Sequence, residues 1–223
     1  MALNINGTTG ISGVDGSVSA PALTGTDSNT GITFPSADTI KFSTGGVERM
    51  SITNSGITGI TAGITMADTW RLVTQYINEQ NTLGGTSDWE RDDTYGNGLL
   101  GTGMSQANGY FTFPSTGFYS VRFYGHHSMS YSNGRSITGK LVYTANNFSS
   151  SENAAYYTVN CTGDSGAIIH GSGSLEKIFD ITDVSNQKVK FAVGYAQNGS
   201  AGRTTVDTNA NKTYAIFVRL GDT

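Results

Sequence analysis

"YFTFPSTGFYSVRFY", residues 110–124, sets two short aromatic runs on either side of a Pro-Ser-Thr-Gly turn. In its second half Phe118, Ser120, Arg122 and Tyr124 alternate with Tyr119, Val121 and Phe123. A period of two sends neighbouring side chains to opposite faces of a β-strand. A strand with one wet face carries apolar groups on the other face only. Here both faces are aromatic, which points to a strand covered on both sides. "KTYAIFVRL", residues 212–220, repeats the pattern, with Tyr214, Ile216, Val218 and Leu220 opposite Ala215, Phe217 and Arg219. The surplus aromatic surface on the second face predicts packing between subunits.

Working outward, further short runs read as strands: "GYFTF" (109–113), "RSITGKLVYTA" (135–145), "NAAYYTVNC" (153–161), "GSLEKIFDI" (173–181) and "QKVKFAVGY" (187–195). Each is β-branched or aromatic and bounded by Gly, Asn, Asp or Ser, and their spacing is that of a sandwich or jelly roll. "TWRLVTQYI" (69–77) also alternates, although Met66, Trp70, Val73 and Ile77 fit a helical period. A strand is the preferred reading of 66–80, with a helix as the alternative. Composition agrees with an all-β fold. Charged residues make up only 13% of the 223, and there are 30 glycines but three prolines.

The same composition excludes several classes of partner. A net charge of −4 and the lack of any Lys/Arg cluster argue against nucleic acid. No apolar run approaches the length of a membrane span, and "MALNINGTTG" lacks the charged start and apolar core of a signal peptide. Neither membrane insertion nor a leader is expected. With Cys161 alone, no internal disulfide can form.

Aromatics also divide the chain. All 11 Tyr and both Trp lie from Trp70 onward, and residues 1–62 hold only Phe34 and Phe42. A segment so poor in large apolar groups cannot offset its chain entropy by burial alone. Either it is a linker-like arm, or its short strands are completed by neighbouring chains in a fibrous stalk. "TIKFSTGGVERMSIT" (39–53) favours the stalk. Ile40 and Phe42 alternate in one arm of a hairpin, Met50 and Ile52 in the other, and "STGG" supplies the turn. Two domains follow: 1–62, a fibrous attachment segment, and 63–223, a jelly roll.

Residues 110–124, with their Thr-Gly turn between aromatic strands, resemble the hallmark stretch of the complement-subcomponent and tumour-necrosis-factor-like jelly roll. "TYAIFVRLGDT" is similar to that fold's last strand. The resemblance implies a homotrimer with an aromatic axis on a fibrous N-terminal stalk. Residues 19–52, "SAPALTGTDSNTGITFPSADTIKFSTGGVERMSI", look like a module of tailed-phage virion proteins, in the order "NTGI…ADTI.F.TGG.ERM". Together the two imply a β-rich, trimeric, non-enzymatic virion appendage. No Gly-X-Y run is present, so the resemblance is to the phage branch and not to collagen-stalked relatives.

Several stretches imitate chemical motifs. "CTGDSGAIIHG" (161–171) has the look of a serine-protease nucleophile loop around Ser165. That chemistry needs a distant general-base His and an Asp orienting it. His126 and His127 lie only 39 and 38 residues upstream, Ala167 follows Gly166, and His170 is too near in sequence. Turn chemistry between two strands explains the segment, with Cys161 as a small buried apolar residue. "DTNANK" (207–212) puts Asp207, Asn209 and Asn211 at calcium-loop positions, but Lys212 and Val218 stand where Gly and Glu are required. A turn before the last strand is the expectation. "DWERDD" supplies Asp88, Glu90, Asp92 and Asp93, enough carboxylates for glycoside cleavage. A solvated loop with Arg91 pairing locally is the simpler reading. His126 and His127 are adjacent and so face opposite ways in a strand. One of them could line a threefold axis and weaken assembly in acid. Tyr131 and Phe148, near loop tips, are candidates for glycan contact. No catalytic, cofactor-binding or metal-binding residue is assigned, and no cofactor is expected.

The reading is therefore a homotrimeric phage virion protein, located in the virion, that attaches to a host-surface glycan or protein as a tail-fibre-like appendage. Its N-terminal segment would bind other tail or capsid proteins. The alternative is a trimeric decoration protein that strengthens the capsid.

Overall fold

The alternation in residues 117–130 becomes one long strand with two unlike faces. Tyr119, Val121 and Phe123 have no solvent-exposed surface, whereas Phe118, Ser120, Arg122 and Tyr124 point away from the core. These observations come from a computed structural model that describes residues 4–6, 10–12, 15–59, 63–76, 81–96, 98–130, 135–161, 167–195 and 202–223. Every regular element among them is a β-strand. The chain divides into two compact units, Met1–Ala62 and Gly63–Thr223.

In the first unit β1 (Asn4–Asn6) pairs with β2 (Gly10–Ser12), and β3 (Gly16–Ser17) with β4 (Ala20–Pro21). A five-stranded antiparallel meander follows: β5 (Leu23–Thr24), β6 (Gly31–Thr33), β7 (Ile40–Thr44), β8 (Val47–Thr53) and β9 (Gly56–Thr58). The β7–β8 hairpin has the register its alternation predicts, Ile40 opposite Ile52 and Phe42 opposite Met50. Gly45 and Gly46 sit at φ 59° and 74°, the left-handed pair that a two-residue hairpin turn requires. Within the chain each of these strands has a partner, and β5 and β9 are the edges of the meander. The strands pair with one another, because the meander brings each next to its sequence neighbour. Association would have to supply an apolar core. The buried positions are small or polar, Thr33, Ser43 and Ser51 among them, while Phe34, Ile40, Val47 and Ile57 are exposed.

The second unit has two antiparallel sheets. The first has the order β12 (Trp89–Arg91), β10 (Met66–Leu72), β21 (Tyr214–Gly221), β15 (Gly117–Ser130), β18 (Ile168–Ile181), with β20 (Gly202–Thr204) also on β15. The second runs β13 (Ser105–Ala107), β14 (Tyr110–Thr112), β19 (Lys188–Tyr195), β16 (Arg135–Thr144), β17 (Glu152–Cys161), with β11 (Asn81–Thr82) on β19. Most spatial neighbours are distant in sequence, as expected when the chain crosses repeatedly between sheets. Apolar faces of both sheets meet in one core around Phe111, whose ring lies 5.0–5.6 Å from those of Trp70, Trp89, Phe191 and Phe217. Residues 66–72 are strand and not helix, since β10 pairs with β12 on one side and β21 on the other. Residues 77–80 lie outside the described residues.

Glycines inside the strands mark a close approach. Gly125 of β15, Gly139 of β16 and Gly173 of β18 all abut the Tyr157 side chain, where a Cβ would collide with it. Tyr157 therefore stands in a slot built from strands of both sheets. "AIIHG" is also corrected here. It is not a turn, because β18 begins at Ile168 and His170 pairs in register with Ser128.

Candidate functional site

The outward face of the first sheet gathers large side chains that are half-buried or exposed. Tyr124 and Tyr214 are directly opposed, with rings 5.2 Å apart. In the next rows Arg122 opposes Ile216, and Ser120 lies between Val218 and Ile178. Ile178 is 59% exposed, and Phe118 and Leu220 are also open to solvent. Two of the charges in this area answer each other, while Asp180, the register partner of Phe118, is exposed. Arg122 Nη2 lies 2.7 Å from Glu176 Oε2, and Ser120 Oγ donates to Glu176 Oε1 at 2.6 Å. A neutralised pair inside an aromatic and aliphatic field suits a protein surface better than water.

Toward one end of the same face, the His126 and His170 rings stack at 5.7 Å. Burial, then the neighbouring His170 and Lys212, holds the His126 imidazole below its ordinary value. His127 points the other way, as its adjacent position requires. It has no exposed surface, and its Nε2 lies 2.6 Å from Tyr157 Oη. Burial lowers its pKa to about 4 and pushes the Tyr157 phenol well above its usual range. His127 Nδ1 has no hydrogen-bond partner among the described residues. A second N–H on this ring would be orphaned, which is why the neutral form is favoured.

The acidic stretch 88–93 is not a solvated loop neutralised by Arg91. Arg71 neutralises it from β10: only 1% of its side chain is exposed. Arg71 Nε meets Glu90 at 3.2 Å, Nη1 meets Asp92 at 2.9 Å and Nη2 meets Asp93 at 2.9 Å. Asn211 donates to Asp92 Oδ2 at 2.6 Å, and Thr94 shares the same network. Arg91 instead pairs with buried Asp68, which also accepts from Trp70 Nε1 at 2.8 Å and Met104 N–H at 2.7 Å. The cause is strand pairing: Arg71 and Glu90 are register partners, and Arg91 sits opposite Trp70. Asp88 accepts from Tyr76 Oη at 2.5 Å and from Gly85 N–H. Burial raises the Asp88 pKa, but these bonds outweigh it and leave a net lowering. Burial and then Asp88 push the Tyr76 phenol up to about 12. Each of these carboxylates thus has a bonded partner, and Asp92 is buried with its own.

Asp207 behaves as the turn reading expects. It accepts N–H groups of Asn209 at 2.9 Å and Ala210 at 3.2 Å, and pairs with Lys212 at 3.1 Å. The Asn209 N–H, then Lys212, hold its pKa below the ordinary value. Among the described residues no group of three His, Cys, Asp or Glu is placed to hold a metal ion. Ser165 and Tyr131 lie outside the described residues, as does the side chain of Cys161. Phe148 is half-buried and stacks on Tyr110 on the second sheet, a pairing that no sequence spacing announces.

No family model matches the chain, and no curated protein matches its sequence. Solved structures do match in fold. Eiger TNF from S. frugiperda superposes with a TM-score of 0.50 at 12% identity, covering 72% of this chain and 96% of that one. The fold is a tumour-necrosis-factor-like jelly roll. Murine APRIL at pH 5.0 gives a TM-score of 0.47 at 10% identity, over 70% of this chain and 98% of its own. The assignment rests on the Eiger match and on the two five-strand orders. It bears out the expectation drawn from residues 110–124.

Proposed function

We propose that the chain is a non-enzymatic virion protein that works as a homotrimer and attaches the particle to a host surface. The observation that supports the trimer is the outward face of β15, β18 and β21, where Ile178, Phe118 and Leu220 are exposed and Tyr124, Tyr214 and Ile216 are only half-buried within the chain. A second and third copy of the same face would bury them. The likeness in fold to Eiger TNF supports this arrangement. The resemblance of residues 19–52 to phage virion modules supports the virion. A first unit with polar buried positions and exposed Phe34, Val47 and Ile57 suits a segment that docks on other virion proteins. Function then arises by repetition, because three identical weak sites reaching one surface together gain avidity.

Quantitative mass spectrometry of purified particles tests the reading. A few dozen chains per particle fits a fibre, and several hundred fits the decoration alternative. Particles without the chain would end both.

A further inference from the structure

The outward face of the second sheet carries a different kind of surface. Tyr110, Lys190 and Val142 are register partners in one row, and Lys140 and Tyr156 in the next. The Phe148 and Tyr110 rings stack at 4.5 Å with 26° between their planes. Lys190 Nζ lies 4.6 Å from the Phe148 ring centre and 5.4 Å from that of Tyr110. Tyr156 is 70% exposed. The first sheet's open face is apolar around a neutralised ion pair, whereas this one is aromatic and basic.

Two features show that the arrangement is built and is not a residue of packing. Asn147 and Phe148 both adopt left-handed backbone, at φ 53° and 64°. Consecutive non-glycine residues there are unfavourable and need outside support. That support is a dense set of bonds. Thr144 Oγ1 accepts the Phe148 N–H at 2.9 Å and donates to Ser150 O at 2.7 Å. Asn146 Oδ1 accepts the Ser150 N–H at 2.9 Å, and the Asn147 N–H bonds to Asn186 O at 2.9 Å. Their combined result is to hold a phenylalanine half-open on the outside of the sheet, where hydrophobicity alone would not leave it.

The second feature is charge. Lys41, Arg71, Arg91, Arg122, Lys212 and Arg219 have carboxylate partners, and Arg49, Lys177 and Arg203, elsewhere on the chain, have no ion pair among the described residues. Lys140, Lys188 and Lys190 have none among the described residues, in a chain of net charge −4, although Lys188 bonds to Asn147 Oδ1 at 2.5 Å. Three unmatched ammonium groups therefore share one face with three aromatic rings.

We propose that this face binds an acidic carbohydrate: the Phe148–Tyr110 platform takes the C–H face of a sugar ring, and Lys190, with Lys188 and Lys140, pairs with the sugar carboxylates. A pyranose presents axial C–H groups to the electron-rich face of an aromatic ring. Nucleic acid also combines stacking with anionic groups, but tracking its backbone takes a continuous positive groove, which three lysines do not make. The proposal supplies the ligand chemistry for the attachment reading, yet the site lies within one chain and needs neither trimer nor particle.

The test is calorimetric titration of the full chain with hexagalacturonate, maltohexaose, dextran sulfate and a ten-nucleotide oligo-dT at fixed ionic strength. Saturable hexagalacturonate binding is expected, at least tenfold tighter than maltohexaose. Phe148→Leu keeps apolar bulk but loses the ring, and Lys190→Gln keeps the stem but loses the charge. Each should weaken hexagalacturonate binding about tenfold while melting temperature and oligomeric mass stay at wild-type values. If Phe148→Leu does not fold, Lys190→Gln alone decides. No saturable hexagalacturonate binding, or binding indifferent to both substitutions, overturns the proposal. Tighter binding of dextran sulfate or oligo-dT that ignores Phe148 overturns it as well, by reducing the face to unspecific charge. A wild-type trimer that binds none of these probes removes the glycan site and leaves the assembly reading intact.

Discussion

His127 makes the stability of the second unit depend on pH in a calculable way. Its ring is fully buried against Tyr157, and burial takes its pKa from 6.5 to about 4. Above pH 6.5 the ring is neutral both folded and unfolded, so it adds no pH dependence. Between pH 6.5 and 4 the unfolded chain takes up a proton that the folded chain refuses, so stability falls as pH falls. At about 1.4 kcal/mol per pH unit, the full window removes about 3 kcal/mol. Carboxylates also titrate toward its lower end, so the comparison must isolate this residue. His127→Gln keeps a nitrogen near the Nε2 position but cannot ionise. Urea unfolding at pH 7.5, 6.5, 5.5 and 4.5, at one protein concentration, gives the stability of each form. The variant starts less stable at pH 7.5, and the gap should close by roughly 2–3 kcal/mol on reaching pH 4.5. A gap that stays constant across the series would refute the reasoning.

Removing Arg71 with Arg71→Met strands the buried Asp92 carboxylate and should cost about 3–5 kcal/mol in urea unfolding. Gly139→Ala drives a methyl group into the Tyr157 ring and should cost about 1–3 kcal/mol, part of it recovered in the double variant with Tyr157→Leu. His126 stacks on His170 on the association face, and burial holds its pKa below the ordinary value, so a proton forced onto it in acid places a partly buried positive charge there. Sedimentation should show weaker assembly at pH 5.5 than at 7.5, with the difference reduced in His170→Asn.

What the sequence made legible was local. Alternation in 117–124 and 214–218 separated core side chains from outward ones correctly, because the period of two acts within a strand. The Gly45–Gly46 turn was equally readable, since left-handed backbone selects glycine. Partnerships between distant strands were not. Arg71 and its carboxylates are separated by 19 to 22 residues, so nothing in the spacing tells that Arg71, and not the adjacent Arg91, neutralises the cluster. "AIIHG" read as loop because Gly and Ser dominate its surroundings, yet four register pairs with β15, Ile168 to Gly171, make it the start of a strand. Tyr157 had a signal that could have been used. Three glycines inside otherwise apolar strands announced that something large passes close by, although not what. The Phe148 platform left only the cluster of Asn and Ser around it, the residues that fasten a left-handed loop.

The central claim is that the open face of β15, β18 and β21 joins three copies of the chain. Light scattering on the eluting protein, diluted to sub-micromolar concentration, tests it most directly. A mass of about 70 kDa is expected, from three chains of 23.5 kDa, and a folded species of one-third that mass for Ile216→Arg. A folded wild-type monomer at 23.5 kDa would contradict it.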